Sequence, residues 1–146
     1  EGIIGGMVGK ITHRGPDDDG FYVDKTVGLG MRRLAIIDLK TGRQPITTED
    51  GKLVIFFNGE IYNYKELKNE LIPKGHKFNT TSDTEVILKM YEEYGEEMLP
   101  RLRGMFTFCI YNTETKHLFI ARDFFGIKLL YYFIQDDNIV AFSSEI

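Results

Sequence analysis

Cysteine is nearly absent from this sequence. A single thiol, Cys109, among 146 residues excludes an intrachain disulfide framework and a thiolate metal cluster, and it suits a reducing compartment, the cytoplasm. Long hydrophobic runs are also missing. Nothing approaches the roughly 18 apolar residues of a membrane span, and no basic segment followed by an apolar stretch marks a signal peptide. Charge of one sign is lacking too: eighteen Lys and Arg against twenty-two Asp and Glu leave a formal charge of −4, with no like-charge run longer than Asp17-Asp18-Asp19. That balance argues against a surface that tracks phosphates, so nucleic acid is not an expected partner. His13, His76 and His117 show no metal-ligand spacing, the aspartate triplet resembles no complete metal loop, and no glycine-rich phosphate loop is present. No cofactor or metal is therefore expected within this domain.

What remains is a chain long enough for one domain with its own core, 42% hydrophobic, with 15 glycines and 13% aromatic residues. Short apolar runs recur between turn signals, which reads as a strand-rich domain with a few helices. Ile4, Met7 and Ile11 are spaced as on one face of a helix that ends before Pro16. Phe21–Val23 and Leu29–Asp38 read as strands, and Leu53–Phe57 as a buried one. Asn58-Gly59 then reads as a sharp turn, because both residues tolerate positive φ. Asn63 with Glu66 and Ser82 with Glu85 fit reciprocal capping boxes at two helix starts, the first helix stopped by Pro73 and Gly75, the second by Gly95. Met105–Tyr111, His117–Arg122, Leu129–Ile134 and Ile139–Ser143 read as strands. In the first of these, Phe106, Phe108 and Ile110 share one side, while Cys109 and Tyr111 are on the other. A sheet apolar on both faces needs a second sheet on one side and helices on the other, so the expected class is α+β, with two packed antiparallel sheets between helical layers.

The residues able to carry chemistry are few. Asn58, Gly59 and Glu60 put a side-chain amide, a bare backbone N–H and a carboxylate together at the exit of a buried strand. The amide N–H and the glycine N–H could both donate to one developing oxyanion; the competing reading is an ordinary hairpin turn. Asp83 follows its Ser82 cap, where helix-terminal N–H groups favour an ionised carboxylate suited to a ligand ammonium; the competing reading is capping alone. Arg33 shares a strand face with Met31, Ala35 and Ile37, so it needs a partner, either a structural carboxylate or a ligand carboxylate held bidentately. Arg32, on the opposite face, competes for that role. His13 reads as structural, Asp17–Asp19 as a solvated turn and Cys109 as core.

Taken together, several segments resemble the glutamine amidotransferase domain, of the type with an N-terminal nucleophile, found in glutamine-hydrolysing asparagine synthetases. They are His13-Arg14-Gly15-Pro16-Asp17, Arg33 to Leu39, Gln44-Pro45, Asn58 to Asn63, Ser82 to Ile87, Gly104-Met105-Phe106, Ala121-Arg122-Asp123 and Ser144-Glu145, in the family's order. The resemblance covers nearly the whole chain and implies an N-terminal-nucleophile hydrolase sandwich of four layers. It implies that Arg33 binds the α-carboxylate of glutamine, that Asp83 and Glu60 bind its α-ammonium, and that Asn58 with the Gly59 N–H forms the oxyanion hole. It further implies a C-terminal synthetase domain that uses aspartate, ATP and Mg²⁺, with a homodimer among the assemblies open to the whole protein. Two positions depart from the family pattern: Leu129 replaces a proline, and Met31 stands where a histidine is frequent; neither is among the glutamine contacts just named.

The family's nucleophile is a cysteine at the mature N-terminus. Glu1-Gly2-Ile3 looks like that opening with the cysteine replaced, but Glu1 is only twelve positions before His13, about half the family's spacing. The expectation is that residues 1–146 are a fragment of the domain, its first strand and cysteine lying upstream, and that this polypeptide alone hydrolyses no glutamine. Two rivals stay open at this point: the corresponding domain of another ATP-dependent amidotransferase or a β-lactam synthetase-like enzyme, and a non-catalytic glutamine-binding module.

Overall fold

The computed structural model describes residues 2–33 and 42–146. Helix α1 (Gly2–Lys10) is followed by strands β1 (Asp18–Val23), β2 (Gly28–Arg33), β3 (Ile46–Thr47) and β4 (Leu53–Ile61). Helices α2 (Tyr64–Leu71) and α3 (Asp83–Tyr94) precede β5 (Gly104–Asn112), β6 (Leu118–Arg122), β7 (Tyr131–Gln135) and β8 (Asn138–Ser143). β3-β4-β5-β6 form one antiparallel sheet; β1-β2 and β7-β8 form antiparallel pairs.

Alternation along the strands builds the layers, as the sequence pattern predicts. Leu53, Ile55 and Phe57 of β4, with Phe106, Phe108 and Ile110 of β5, point to one side and pack with Val86, Ile87 and Met90 of α3 and Leu67 and Leu71 of α2. Val54 and Phe56, with Cys109 and Tyr111, point to the other side and meet Leu29 of β2. On the outer face of β2, α1 lies close because Gly28 and Gly30 present no side chain to Ile4 and Val8. The order is therefore helix, two-stranded sheet, four-stranded sheet, helices, the α+β sandwich expected. Fully buried aromatic residues such as Phe108 (2% exposed) are worth about 3–5 kcal/mol each against truncation. No described helix is long and apolar enough to cross a membrane.

Several local expectations are corrected. Asn58-Gly59 is not a turn: β4 runs through it to Ile61, with Asn58 opposite Thr107 and Gly59 opposite Phe106. Gly59 does take a positive φ of 152°, but it uses it for close approach, since a Cβ there would lie 2.1 Å from the Met105 carbonyl oxygen. In α1 Ile4 faces β2 as expected and Val8 is the buried residue, while Met7 is 41% exposed. Asn63 makes no side-chain cap; its amide donates to the Arg101 carbonyl at 3.0 Å and accepts from the Arg103 N–H at 3.0 Å. Ser82 caps α3 as predicted, accepting from Thr84 N–H. Glu85 instead accepts from the Asn79 and Thr80 N–H groups, so only half of that capping box forms. Asp18 and Asp19 open β1 rather than sitting in a solvated turn, and Asp19 faces Arg32. The predicted strand beyond Arg33, with Ala35 and Ile37, lies outside the described residues.

Candidate active site

Five residues from three separate segments meet around one cavity of about 410 Å³: Arg33 at the end of β2, Asn58, Gly59 and Glu60 in β4, and Asp83 at the start of α3. The volume falls in the range of small-molecule sites, roughly 300–1,000 Å³. Arg14, Gln44, Met105, Lys128 and Ser144 also line it.

Backbone direction explains what the β4 edge offers. Alternate residues of a strand aim their N–H and C=O groups to the same side. The Phe57 N–H donates to the Gln44 side-chain carbonyl, and the Ile61 N–H donates to an Asp83 carboxylate oxygen at 3.0 Å. Gly59 lies midway between them and shares their direction, away from β5. β3 pairs with β4 only at Val54 and Ile55, so the Gly59 N–H is presented at an edge that β3 does not reach, beside the Asn58 amide. Two donors held on a rigid strand are what a developing oxyanion requires.

Asp83 is 3% exposed. The sequence favours ionisation there, yet burial pushes its carboxyl up from the ordinary value, and the neighbouring Glu60 charge adds to the effect. The Ile61 and Thr84 N–H groups and the helix terminus act in the opposite sense without offsetting the lost hydration. Asp83 thus stands as a buried carboxylate whose charge a ligand cation would stabilise.

The two adjacent arginines separate cleanly. Arg32 donates to the Gly15 carbonyl at 2.8 Å, the Pro16 carbonyl at 3.3 Å and Asp19 at 3.2 Å, so its guanidinium fixes the His13–Asp17 loop. Arg33, 9% exposed, lines the cavity. Met31 also lines the cavity, which makes that departure from the family pattern part of the wall. His13 is structural in position: its Nε2 lies 3.0 Å from Glu145, which Arg14 also contacts at 3.0 Å.

Lys128 reaches the rim through a loop locked by two neighbours. The buried Asp123 carboxylate accepts N–H bonds from Phe106, Ile127 and Lys128 at 3.0–3.2 Å. Burial opposes its charge, but these amides hold the carboxyl below its ordinary range. Arg122 binds the Lys128 carbonyl at 2.7 Å and the Gly126 carbonyl. Cys109 is core, as expected: it is buried, and burial pushes its thiol up to about 12. Among the described residues no three His, Cys, Asp or Glu side chains gather as a metal site.

Sequence reasoning on the residues alone missed Gln44 and Lys128. Both are polar residues that carry no local signal of their own; the signal for Gln44 is the proline that follows it, which has no N–H to give to a sheet.

Comparison with known proteins identifies the family. A family model described as a glutamine amidotransferase domain matches residues 1–146. The chain is 54% identical over 145 residues to asparagine synthetase [glutamine-hydrolyzing] 1 of Bacillus subtilis (strain 168), covering 99% of this chain and 23% of that protein. It is 48% identical over 136 residues to asparagine synthetase [glutamine-hydrolyzing] 2 of Oryza sativa subsp. japonica, covering 93% and 23%. The chain thus spans about a quarter of the length of these relatives. Among solved structures, glutamine phosphoribosylpyrophosphate amidotransferase from B. subtilis, complexed with ADP and GMP, superposes with a TM-score of 0.58 at 27% identity, over 74% of this chain and 25% of that one. With its α+β sandwich, its edge donors and its matched segments, the chain belongs to the glutamine amidotransferase domain family.

Proposed function

We propose that the cavity binds glutamine, and that in the whole protein this domain is the glutaminase of a glutamine-hydrolysing asparagine synthetase. The observation that supports the reading most is that Arg33, Asn58, Gly59, Glu60 and Asp83 surround one cavity. Glutamine carries one anion, one cation and one reactive amide, and the cavity holds a group suited to each. Arg33 takes the α-carboxylate, Asp83 and Glu60 take the α-ammonium, and Asn58 with the Gly59 N–H faces the carboxamide oxygen.

The chemistry is acyl transfer. A cysteine thiol at the mature N-terminus gives its proton to its own α-amine and attacks the carboxamide carbon, and negative charge moves to the oxygen facing Asn58 and Gly59. As the C–N bond breaks, the protonated α-amine passes that proton to the leaving nitrogen, which departs as ammonia. Water then cleaves the thioester to release glutamate and restore the thiol. Cys109 does not serve as that nucleophile, because its buried thiol is almost wholly un-ionised at neutral pH. We assign the role to a cysteine preceding Glu1 in the whole protein. ATP, Mg²⁺ and aspartate are assigned to a C-terminal synthetase domain, and the cytoplasm is the compartment this biosynthetic role fits.

The test is glutamate release by the full-length protein, with asparagine formation followed when aspartate and ATP are added. Arg33→Met and Asp83→Asn should each raise KM for glutamine. A full-length protein that forms asparagine only from free ammonia, or releases no glutamate, would refute the reading.

A further inference from the structure

Gln44 is tied to the oxyanion edge in a way its place in the chain does not demand. Continuing the β3–β4 register, in which Ile46 faces Ile55 and Thr47 faces Val54, brings residue 44 opposite Phe57. A regular strand would pair with Phe57 there through its main chain. β3 stops short, and Pro45 brings no N–H to the sheet. The Gln44 side chain supplies both bonds instead: its Nε2 donates to the Phe57 carbonyl at 2.9 Å, and its Oε1 accepts from the Phe57 N–H at 2.6 Å. The same Nε2 lies 3.5 Å from the Thr84 hydroxyl, in the first turn of α3 beside Asp83. The main chain of Gln44 is itself wedged against β1, where a Cβ on Gly20 would lie 2.1 Å from the Gln44 carbonyl oxygen.

Three consecutive edge positions of β4 are thereby defined. Phe57 is clamped by Gln44, Ile61 is clamped by Asp83, and Gly59 stands between two fixed points. A side-chain amide both donates and accepts in one plane, as a peptide group does. A carboxylate would present lone pairs to the Phe57 carbonyl, and an apolar side chain would leave both Phe57 groups without a partner.

We propose that Gln44 is a positioning residue for amide hydrolysis: it sets the β4 edge so that the Asn58 amide and the Gly59 N–H converge on the oxyanion, and it couples that edge to the α3 terminus carrying Asp83. This rests on the glutaminase reading. The effect belongs to the reacting carbonyl rather than to recognition of the amino-acid end, so it falls on kcat.

The experiment uses the full-length protein and compares wild type with Gln44→Leu and Gln44→Glu, measuring glutamate release against glutamine concentration. Misplacing reacting groups by about 1 Å costs up to roughly a hundredfold. The expected result is a kcat lowered about ten- to a hundredfold in Gln44→Leu, with KM within about threefold of wild type, in a protein that stays folded though with a lower melting temperature, since both Phe57 groups lose a partner. Gln44→Glu keeps the shape and the acceptor for the Phe57 N–H, so it carries the test if the leucine variant does not fold, and its kcat should also fall. Unchanged kcat in the folded variants, or a rise in KM alone, would overturn the inference. A wild type that releases no glutamate would instead sink the functional reading on which it rests.

Discussion

Replacing Gly59 with alanine tests the central geometric claim, that β4 passes through Asn58-Gly59 instead of turning there. At φ 152° an L-residue pays backbone strain of order 1–3 kcal/mol. The added Cβ would lie 2.1 Å from the Met105 oxygen and 2.7 Å from the Phe106 Cα, whereas carbon contacts settle near 3.5–4.0 Å. β4 and β5 must part by roughly 1 Å at that point, weakening ladder bonds worth about 1 kcal/mol each. The sum is about 3–5 kcal/mol. Gly51 supplies the control: its φ is 71°, and a Cβ added there would meet nothing within 4 Å, so Gly51→Ala carries only the left-handed strain of about 1–2 kcal/mol. Equilibrium urea unfolding of the two variants side by side should give a markedly lower midpoint for Gly59→Ala, by about 1 M or more, with the slope preserved. In the full-length protein the same variant should lose glutaminase rate about a hundredfold, because the shifted N–H is the one proposed as an oxyanion donor. Were Gly59→Ala no less stable than Gly51→Ala, the strand register and the oxyanion assignment built on it would both be wrong.

Three further substitutions probe the cavity and the core. Asn58→Ala should lower kcat for glutamate release by about a hundred- to a thousandfold with little change in KM, since its amide is assigned to the transition state; a change confined to KM would contradict this. Asp83→Asn should raise KM about ten- to a hundredfold through loss of a charged hydrogen bond. It should also flatten the pH dependence of stability. With its folded-state pKa raised by burial, Asp83 contributes stability that is fully present below its unfolded value and lost as pH rises through the folded one. Unfolding at pH 4 and pH 7 should therefore show a smaller loss in the asparagine variant. Cys109→Ala should leave glutamate release by the full-length protein within about twofold, because a thiol at about 12 is ionised in about one molecule in ten thousand at pH 8. A proportional loss of activity would make Cys109 the nucleophile.

How much of this the sequence announces depends on where the deciding partner lies. The two-faced pattern of Phe106–Tyr111 and the Ser82 cap with its following apolar residues are local signals, and the layers and α3 follow from them. Arg33, Asn58, Glu60 and Asp83 stand out as polar groups beside apolar runs, and Gly59 as a bare N–H among them, but ordinary structural readings such as a turn or a helix cap stay open, and it is the family resemblance that joins them into one set. The errors arise where a distant residue takes a group that local rules assign nearby. Gly59 spends its positive φ on approach to Met105 rather than on a turn. The Asn63 amide goes to Arg101 and Arg103 instead of to its own helix, and Glu85 serves Asn79 and Thr80 instead of Ser82. The role of Gln44 is hidden for the same reason: Pro45 marks a break in the strand, but nothing in the side-chain pattern says that the Gln44 amide bonds the main chain of Phe57.

The electrostatics of the cavity join the binding and catalytic halves of the proposal. Asp83 sits where a helix terminus and two N–H groups ought to stabilise its charge, yet burial and the neighbouring Glu60 outweigh them. An α-ammonium entering beside it changes both unfavourable contributions at once, supplying a counter-charge in place of the lost water and screening Glu60. On the proposed glutamine reading, part of the binding energy would come from this buried carboxyl gaining a counter-charge, and a ligand without the ammonium would gain nothing from it. Because Asp83 also accepts from the Ile61 N–H, the group proposed to recognise the ammonium is the same group that fixes the far end of the proposed oxyanion edge. Selection of an amino acid and alignment of its amide are then two consequences of one buried side chain, and a glutamine analogue lacking the α-amine should suffer in kcat as well as in affinity.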